Sequence, residues 1–120
     1  MRELFIDIET YSGTDLGKSG VYRYSEAPDF EVILFGYCAD DGEVHVIDLA
    51  SKESLPPEVL EARIDETVMK WAHNAQFERV CLSRWLERQG INLKALNGNS
   101  NFLSPASWRC MMVWSAYLGL

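Results

Sequence analysis

The sequence lacks any run of about 18 consecutive apolar residues, so no membrane-spanning helix is expected. Met1-Arg2-Glu3 has none of the apolar character of a secretory signal, which points to a cytoplasmic location. Cysteine is sparse: Cys38, Cys81 and Cys110 are odd in number and far apart. That spacing excludes both a disulfide framework and a zinc-ligand set. Each lies in an apolar stretch, so buried thiols in a reducing compartment are expected. Bases are also short, with 11 Lys and Arg against 18 Asp and Glu, for a net charge of −7. Such a balance opposes nucleic-acid binding by the chain as a whole. The distribution is uneven, however. After Glu78 the only acid is Glu87, against Arg79, Arg84, Arg88, Lys94 and Arg109. An acidic front and a basic rear suit a metal site beside a phosphate-binding surface. They equally suit a chance split in an acidic soluble domain.

With 120 residues and a 48% hydrophobic share, the chain makes one domain with a real core. A first strand is expected over Glu3–Glu9. Thr10–Asp29 reads as a long loop containing Tyr11, Tyr22 and Tyr24. Phe30–Ala39 reads as a strand buried on both faces. Asp40-Asp41-Gly42 marks a hairpin, with Glu43–Leu49 returning. Pro56-Pro57-Glu58 opens a short helix reaching about Ile64, and Thr67–Ala72 forms a fourth strand. A longer helix begins near Asn74 and stops at Gly90. Leu93–Ser107 is loop-like, and Trp108–Leu118 reads as a helix. This order implies an α/β layer fold.

The chemistry concentrates in two places. Phe5-Ile6-Asp7-Ile8-Glu9-Thr10 sets two acids two residues apart, and so on one face of a strand. Carboxylates in such an apolar run need a partner, and a divalent cation is the simplest. An edge strand with two solvated acids is the plainer alternative. The second place is Asn74-Ala75-Gln76-Phe77-Glu78. Asn74 is a good helix N-cap. On a helical wheel Glu78 falls inside the apolar arc of Phe77, Cys81, Trp85, Leu82 and Leu86, where an amphipathic helix should be apolar. The helix dipole gives one reason for an acid there. A metal shared with Asp7 and Glu9 gives another.

Together, Phe-Ile-Asp-Ile-Glu-Thr and Asn-Ala-Gln-Phe-Glu resemble the first two motifs of the DEDD superfamily of 3′–5′ exonucleases, with Glu78 where most members carry Asp. Gly20-Val21-Tyr22-Arg23-Tyr24, His73 to Arg79, and Trp108 to Trp114 resemble the exonuclease region of phage-type family A DNA polymerases. The resemblance implies a ribonuclease H-like mixed sheet flanked by helices. It implies hydrolysis of phosphodiesters from the 3′ end of single-stranded DNA with two Mg²⁺ or Mn²⁺ ions. Asp7, Glu9 and Glu78 would be the metal-binding and catalytic acids. Thr10, Tyr11, Asn74, Phe77 and Arg79 would contact nucleic acid. Tyr11, Tyr22, Tyr24 and Phe77 could stack on unpaired bases, or anchor loops and core. Arg79, Arg84 and Arg88 could contact phosphates, with a solvated face as the default.

The family also needs a Tyr or His four residues before a final Asp on a late helix, to orient or deprotonate water. The two literal hits, Tyr11 with Asp15 and Tyr37 with Asp41, both precede Glu78, and no Asp follows Asp65. The apolar tail from Val113 to Leu120 has nothing to cover it. The expectation is a C-terminally truncated domain, followed in relatives by a polymerase domain, with weak Mn²⁺ binding and impaired hydrolysis. The exposed tail could support homo-oligomers. Two alternatives remain: an RNA-directed exonuclease of the same superfamily, and a catalytically silent ribonuclease H-like module that binds nucleic acid or protein. His73 is read as a structural residue at a strand-to-helix junction, and His45 as a surface residue.

Overall fold

The computed structural model describes residues 1–96, 98 and 100–111. Strand β1 (Glu3–Tyr11) is the centre of a five-stranded sheet of order β3-β2-β1-β4-β5. Its sequence alternates, and so does its burial. Leu4, Ile6 and Ile8 are buried on one face, and Glu3, Asp7 and Glu9 are exposed on the other. On one side, β2 (Glu31–Ala39) runs antiparallel to β1, and β3 (Val44–Asp48) runs antiparallel to β2. The turn between them places Asp40 at φ 51°, and the Gly42 N–H bonds to the Ala39 carbonyl at 2.9 Å. On the other side, β4 (Met69–Ala72) is parallel to β1, and β5 (Trp108–Cys110) is parallel to β4. Parallel neighbours require crossovers. Helix α2 (Pro57–Ala62) lies in the first and α3 (Ala75–Arg88) in the second. This mixed sheet flanked by helices is the expected ribonuclease H-like arrangement.

The core lies on the Leu4–Ile6–Ile8 face. Phe35 and Tyr37 of β2 extend it, and Val59, Ala62, Cys81, Leu82 and Leu86 cover it from α2 and α3. Phe35 meets Trp85 of α3 with ring centroids 5.9 Å apart. Such a layer removes apolar surface from water on one side of the sheet only. β2 is therefore not buried on both faces, as its apolar run suggested. Its burial alternates instead, because half of its side chains point to the open face.

Three further expectations are corrected. Thr10–Asp29 is not a loop: β1 continues to Tyr11, and α1 (Leu16–Glu26) follows. Asp15 caps α1, accepting from the Lys18 N–H at 3.1 Å. Gly20, at φ 80° and ψ 168°, breaks the helix in its middle, which hid its periodicity. Leu93–Ser107 contains a helical turn, α4 (Leu93–Leu96), and a 3₁₀ turn (Pro105–Ser107). The helix expected over Trp108–Leu118 begins as strand β5 instead; its remainder, from residue 112, lies outside the described residues. The oligomer contact expected of the apolar tail lies outside them as well. Among the described residues no helix is long and apolar enough to cross a membrane.

Buried Ser83 ties the 100–104 segment to α3. Its hydroxyl donates to the Arg79 carbonyl at 2.7 Å and accepts from the Leu103 N–H at 2.9 Å. Arg79 completes the tie by donating to the Leu103 carbonyl at 2.9 Å. Ser83→Ala strands a buried N–H, which costs about 1–3 kcal/mol. Urea unfolding followed by tryptophan fluorescence should show that loss, and hydrogen exchange should quicken at Leu103 more than at β1. Unchanged exchange at Leu103 would show that the loop is held by other contacts.

Candidate active site

Asp7 and Glu9 leave β1 on the open face of the sheet. They share a face, as the i, i+2 spacing predicts, but they are exposed rather than half-buried. Ile8, between them, points into the core on the opposite side. Gly36 stands directly across from Asp7 on β2. A Cβ at Gly36 would lie 3.1 Å from the Asp7 carbonyl oxygen and 3.8 Å from its Cβ, so glycine keeps the flank of Asp7 clear. At Glu9 the register slips: Glu9 pairs with Leu34 and Thr10 with Val32. The extra residue, Ile33, is on β2, so β1 keeps its own alternation and Thr10 shares the face of Ile6 and Ile8. Here Thr10 reaches the helical layer, its hydroxyl 2.7 Å from the Tyr24 hydroxyl.

Glu78 comes from the first turn of α3. The Asn74 side chain caps that turn, accepting from the Phe77 N–H at 3.4 Å, and the Glu78 N–H bonds to the Asn74 carbonyl at 3.2 Å. Glu78 is only 6% exposed, and its Oε2 is buried without a hydrogen-bond partner. Burial pushes its pKa up from 4.5 to about 7; its own backbone N–H opposes the rise and the negative charge of Asp7 adds to it. Asp7 and Glu78 are therefore within electrostatic reach of each other. The three acids are not a preformed cage, though. No three His, Cys, Asp or Glu among the described residues stand close enough together to hold a metal ion.

An open cavity of about 620 Å³ adjoins Asp7, lined also by Phe5, Gly36, Val46, Trp71 and His73. Phe5 and Trp71 stack with centroids 6.2 Å apart, and Trp71 Nε1 is buried without an acceptor. This apolar wall beside the acids was missed in the sequence. Its signal was the alternation of β4, which sets Trp71 beside Phe5, and of β3 beyond β2. His73 is exposed, and its carbonyl accepts from Cys110 Sγ at 3.2 Å. Cys81 is buried, whereas Cys38 and Cys110 are only partly so.

The candidate nucleic-acid contacts are dispersed around this site. Tyr11 is 52% exposed at the end of β1. Phe77 is partly buried against Tyr24, with ring centroids 5.9 Å apart. Thr10 is bonded to Tyr24, Asn74 caps α3, and Arg79 donates to Leu103. Arg84 pairs with Glu26 and Glu87, and Arg88 donates to the Ala27 and Phe30 carbonyls, so both brace the fold. Asp15 caps α1 and Asp41 sits in the β2–β3 turn. Neither literal hit to the missing motif lies on a late helix.

The chain is 48% identical over its 120 residues to a DNA polymerase of Bacillus phage SP02. It spans 16% of that protein's length. No family model matches it. The relationship to a phage DNA polymerase runs through both carboxylate segments, because the match covers the whole chain.

Glu78 gives the folded chain a pH signature. Between pH 4.5 and about 7 the folded state keeps a proton that the unfolded chain has released. Stability therefore falls as pH rises through that window and stays lower above it. Glu78→Gln keeps the shape without the charge. It should raise stability at pH 7.5 by about 2–3 kcal/mol and change little at pH 4. Urea titrations at both values check this; parallel stability curves for parent and variant would remove the buried charge from the account.

Proposed function

We propose that the chain is the part of a phage-type polymerase that carries the first two acidic motifs of a metal-dependent 3′–5′ exonuclease. The observation that carries the reading is the buried, unpartnered Oε2 of Glu78, whose charge the charge of Asp7 opposes. A carboxylate buried this way costs free energy unless a cation or a proton answers it. A hard divalent cation fits an all-carboxylate donor set. Asp7, Glu9 and Glu78 would hold Mg²⁺ or Mn²⁺, which when bound polarises a phosphodiester and makes water more acidic. Since no three acids are gathered beforehand, side chains must turn to meet an ion, and weak binding follows.

The protein groups around the acids have their own work. Gly36 leaves the flank of Asp7 open to a phosphate. The cap of Asn74 on Phe77 fixes where α3 begins, and so where Glu78 points. Tyr11 and Phe77 offer faces on which the terminal bases of single-stranded DNA can stack. Within these 120 residues no Tyr or His precedes a late Asp. The group that would activate water is thus missing, and hydrolysis by this chain alone should be slow or absent. In an intact polymerase, further residues would supply that group and a polymerase domain would supply mismatched 3′ ends. A second reading, a silent nucleic-acid or protein-binding module, draws on the same missing group and on the ungathered acids. An RNA-directed enzyme would differ by contacts to the 2′ hydroxyl.

Calorimetric titration with Mn²⁺ separates the first two readings. Weak binding is expected, abolished by Asp7→Ala and strongly reduced by Glu78→Gln. A chain that takes up no Mn²⁺, or takes it up equally after Asp7→Ala, leaves the silent module standing. Matched DNA and RNA oligonucleotides should show at most slow Mn²⁺-dependent shortening, faster on DNA. Rapid Mg²⁺-dependent degradation lost in Asp7→Ala would instead show that the water-activating group is already present.

A further inference from the structure

We infer that Tyr22 and Phe102 form a second stacking subsite for unpaired bases, which guides a DNA strand to the acids over α1. The inference rests on the exonuclease reading for the strand's direction and destination.

Contacts run from the acid segments to α1, the helix that also carries Tyr22. Thr10, next to Glu9, shares a 2.7 Å hydrogen bond with Tyr24 of α1. Tyr24 lies 5.9 Å, centroid to centroid, from Phe77, the neighbour of Glu78. Two residues before Tyr24, Tyr22 meets Phe102 edge to face at 5.3 Å and 87°. Phe102 is held in place because its neighbour Leu103 is bonded through both backbone polar groups to Ser83 and Arg79 of α3. α1 thus touches both carboxylate segments through Tyr24 and presents Tyr22 at the surface. Tyr22 remains 43% exposed, and its hydroxyl makes no hydrogen bond among the described residues. A tyrosine that served only to anchor the loop would bury its ring.

Charge points to the same occupant. The chain is acidic, so phosphates need local bases to approach. α1 carries two, Lys18 and Arg23, both exposed. Among the described residues neither pairs with an acid; the ion pairs found there belong to Arg84. An exposed aromatic ring on a helix that carries cations without an acid partner suits single-strand binding, where stacking tolerates any base and cations follow the backbone.

Fluorescence anisotropy with 5′-labelled oligothymidylates tests this on the 120-residue chain, in EDTA and at low salt. Affinity should rise with length between about two and about ten nucleotides. Tyr22→Ala and Phe102→Ala should each weaken the longer oligonucleotide about tenfold and leave the dinucleotide nearly unchanged. Tyr22→Phe should bind like the parent. Tyr22→Leu, which fills space without a π face, should bind like the alanine variant and replaces it as reporter if that chain unfolds. Arg23→Gln should lower the slope of log affinity against log salt by about one. Parent-like binding of the longer oligonucleotide by Tyr22→Leu overturns the subsite. So does a parent that does not bind that oligonucleotide at all. Because metal is absent, a silent Mn²⁺ titration defeats the exonuclease reading while these outcomes still decide the strand-binding surface.

Discussion

A carboxyl oxygen without a partner, Oε2 of Glu78, is the constraint around which this end of the molecule is arranged. Desolvation penalises its charge, and the nearby charge of Asp7 penalises it further. Two features make the placement tolerable. The first turn of a helix presents free N–H groups and the positive end of its dipole. The Asn74 cap then fixes where that turn begins, and so where the backbone of Glu78 lies. An acid kept in such a place, between apolar Cys81 and Leu82, is one whose charge waits on another group. Cys81 registers the same field: burial and the neighbouring Glu78 push its thiol up to about 12.

The sheet separates stability from chemistry by faces. Period-two alternation sends Leu4, Ile6 and Ile8 into the helical layer and leaves Asp7 and Glu9 outside it. The core can therefore be close-packed without a charge in it, save where one is fully answered. Glu78 apart, Arg63 and Lys70 are the buried charges among the described residues, and Lys70 is answered most fully. It is buried on the core face, and its ammonium donates to the Asp65 and Val68 carbonyls and to the Ser107 hydroxyl. Those three acceptors fasten the start of β5 to the approach to β4. On the opposite face, Asp7 sits among Phe5, Trp71 and the exposed valines of β3, of which Val44 is 76% exposed. Apolar neighbours lower the local dielectric, which strengthens whatever electrostatic interaction an acid makes there.

The parts legible in the sequence are those whose signal is local and periodic. β1 could be read because its alternation is strict, and α3 because Asn74 opens it, Gly90 closes it at φ 89°, and an apolar arc runs between. Glu78 stood out because it interrupts that arc. α1 was illegible for the opposite reason: Gly20 interrupts it, and its inner contacts are made largely by Tyr24 reaching Thr10 and Phe77 rather than by an aliphatic stripe. β5 has only three residues, so its state is decided by β4 beside it and not by Trp-Arg-Cys itself. The exposure of Asp7 and Glu9 was misjudged because a run of apolar neighbours does not say which face they take.

Charge was the most misleading signal at the level of the chain. The surplus of bases after Glu78 suggested a phosphate-binding rear half, yet the arginines there are consumed by the fold. Arg79, Arg88 and Arg109 donate to backbone carbonyls, and Arg84 pairs with Glu26 and Glu87. Earlier in the chain, Arg63 lies 4.7 Å over the Trp85 ring while also bonding Leu60 and Gln89. Guanidinium groups are suited to this, since they bond several acceptors and stack at the same time. The unpaired cations of α1 lie in the acidic half instead, on the helix whose tyrosines reach Thr10 and Phe77. Linear charge asymmetry therefore does not map onto spatial asymmetry here. What locates a polyanion's path is which bases remain unspent after the fold has taken its share, and composition cannot count those.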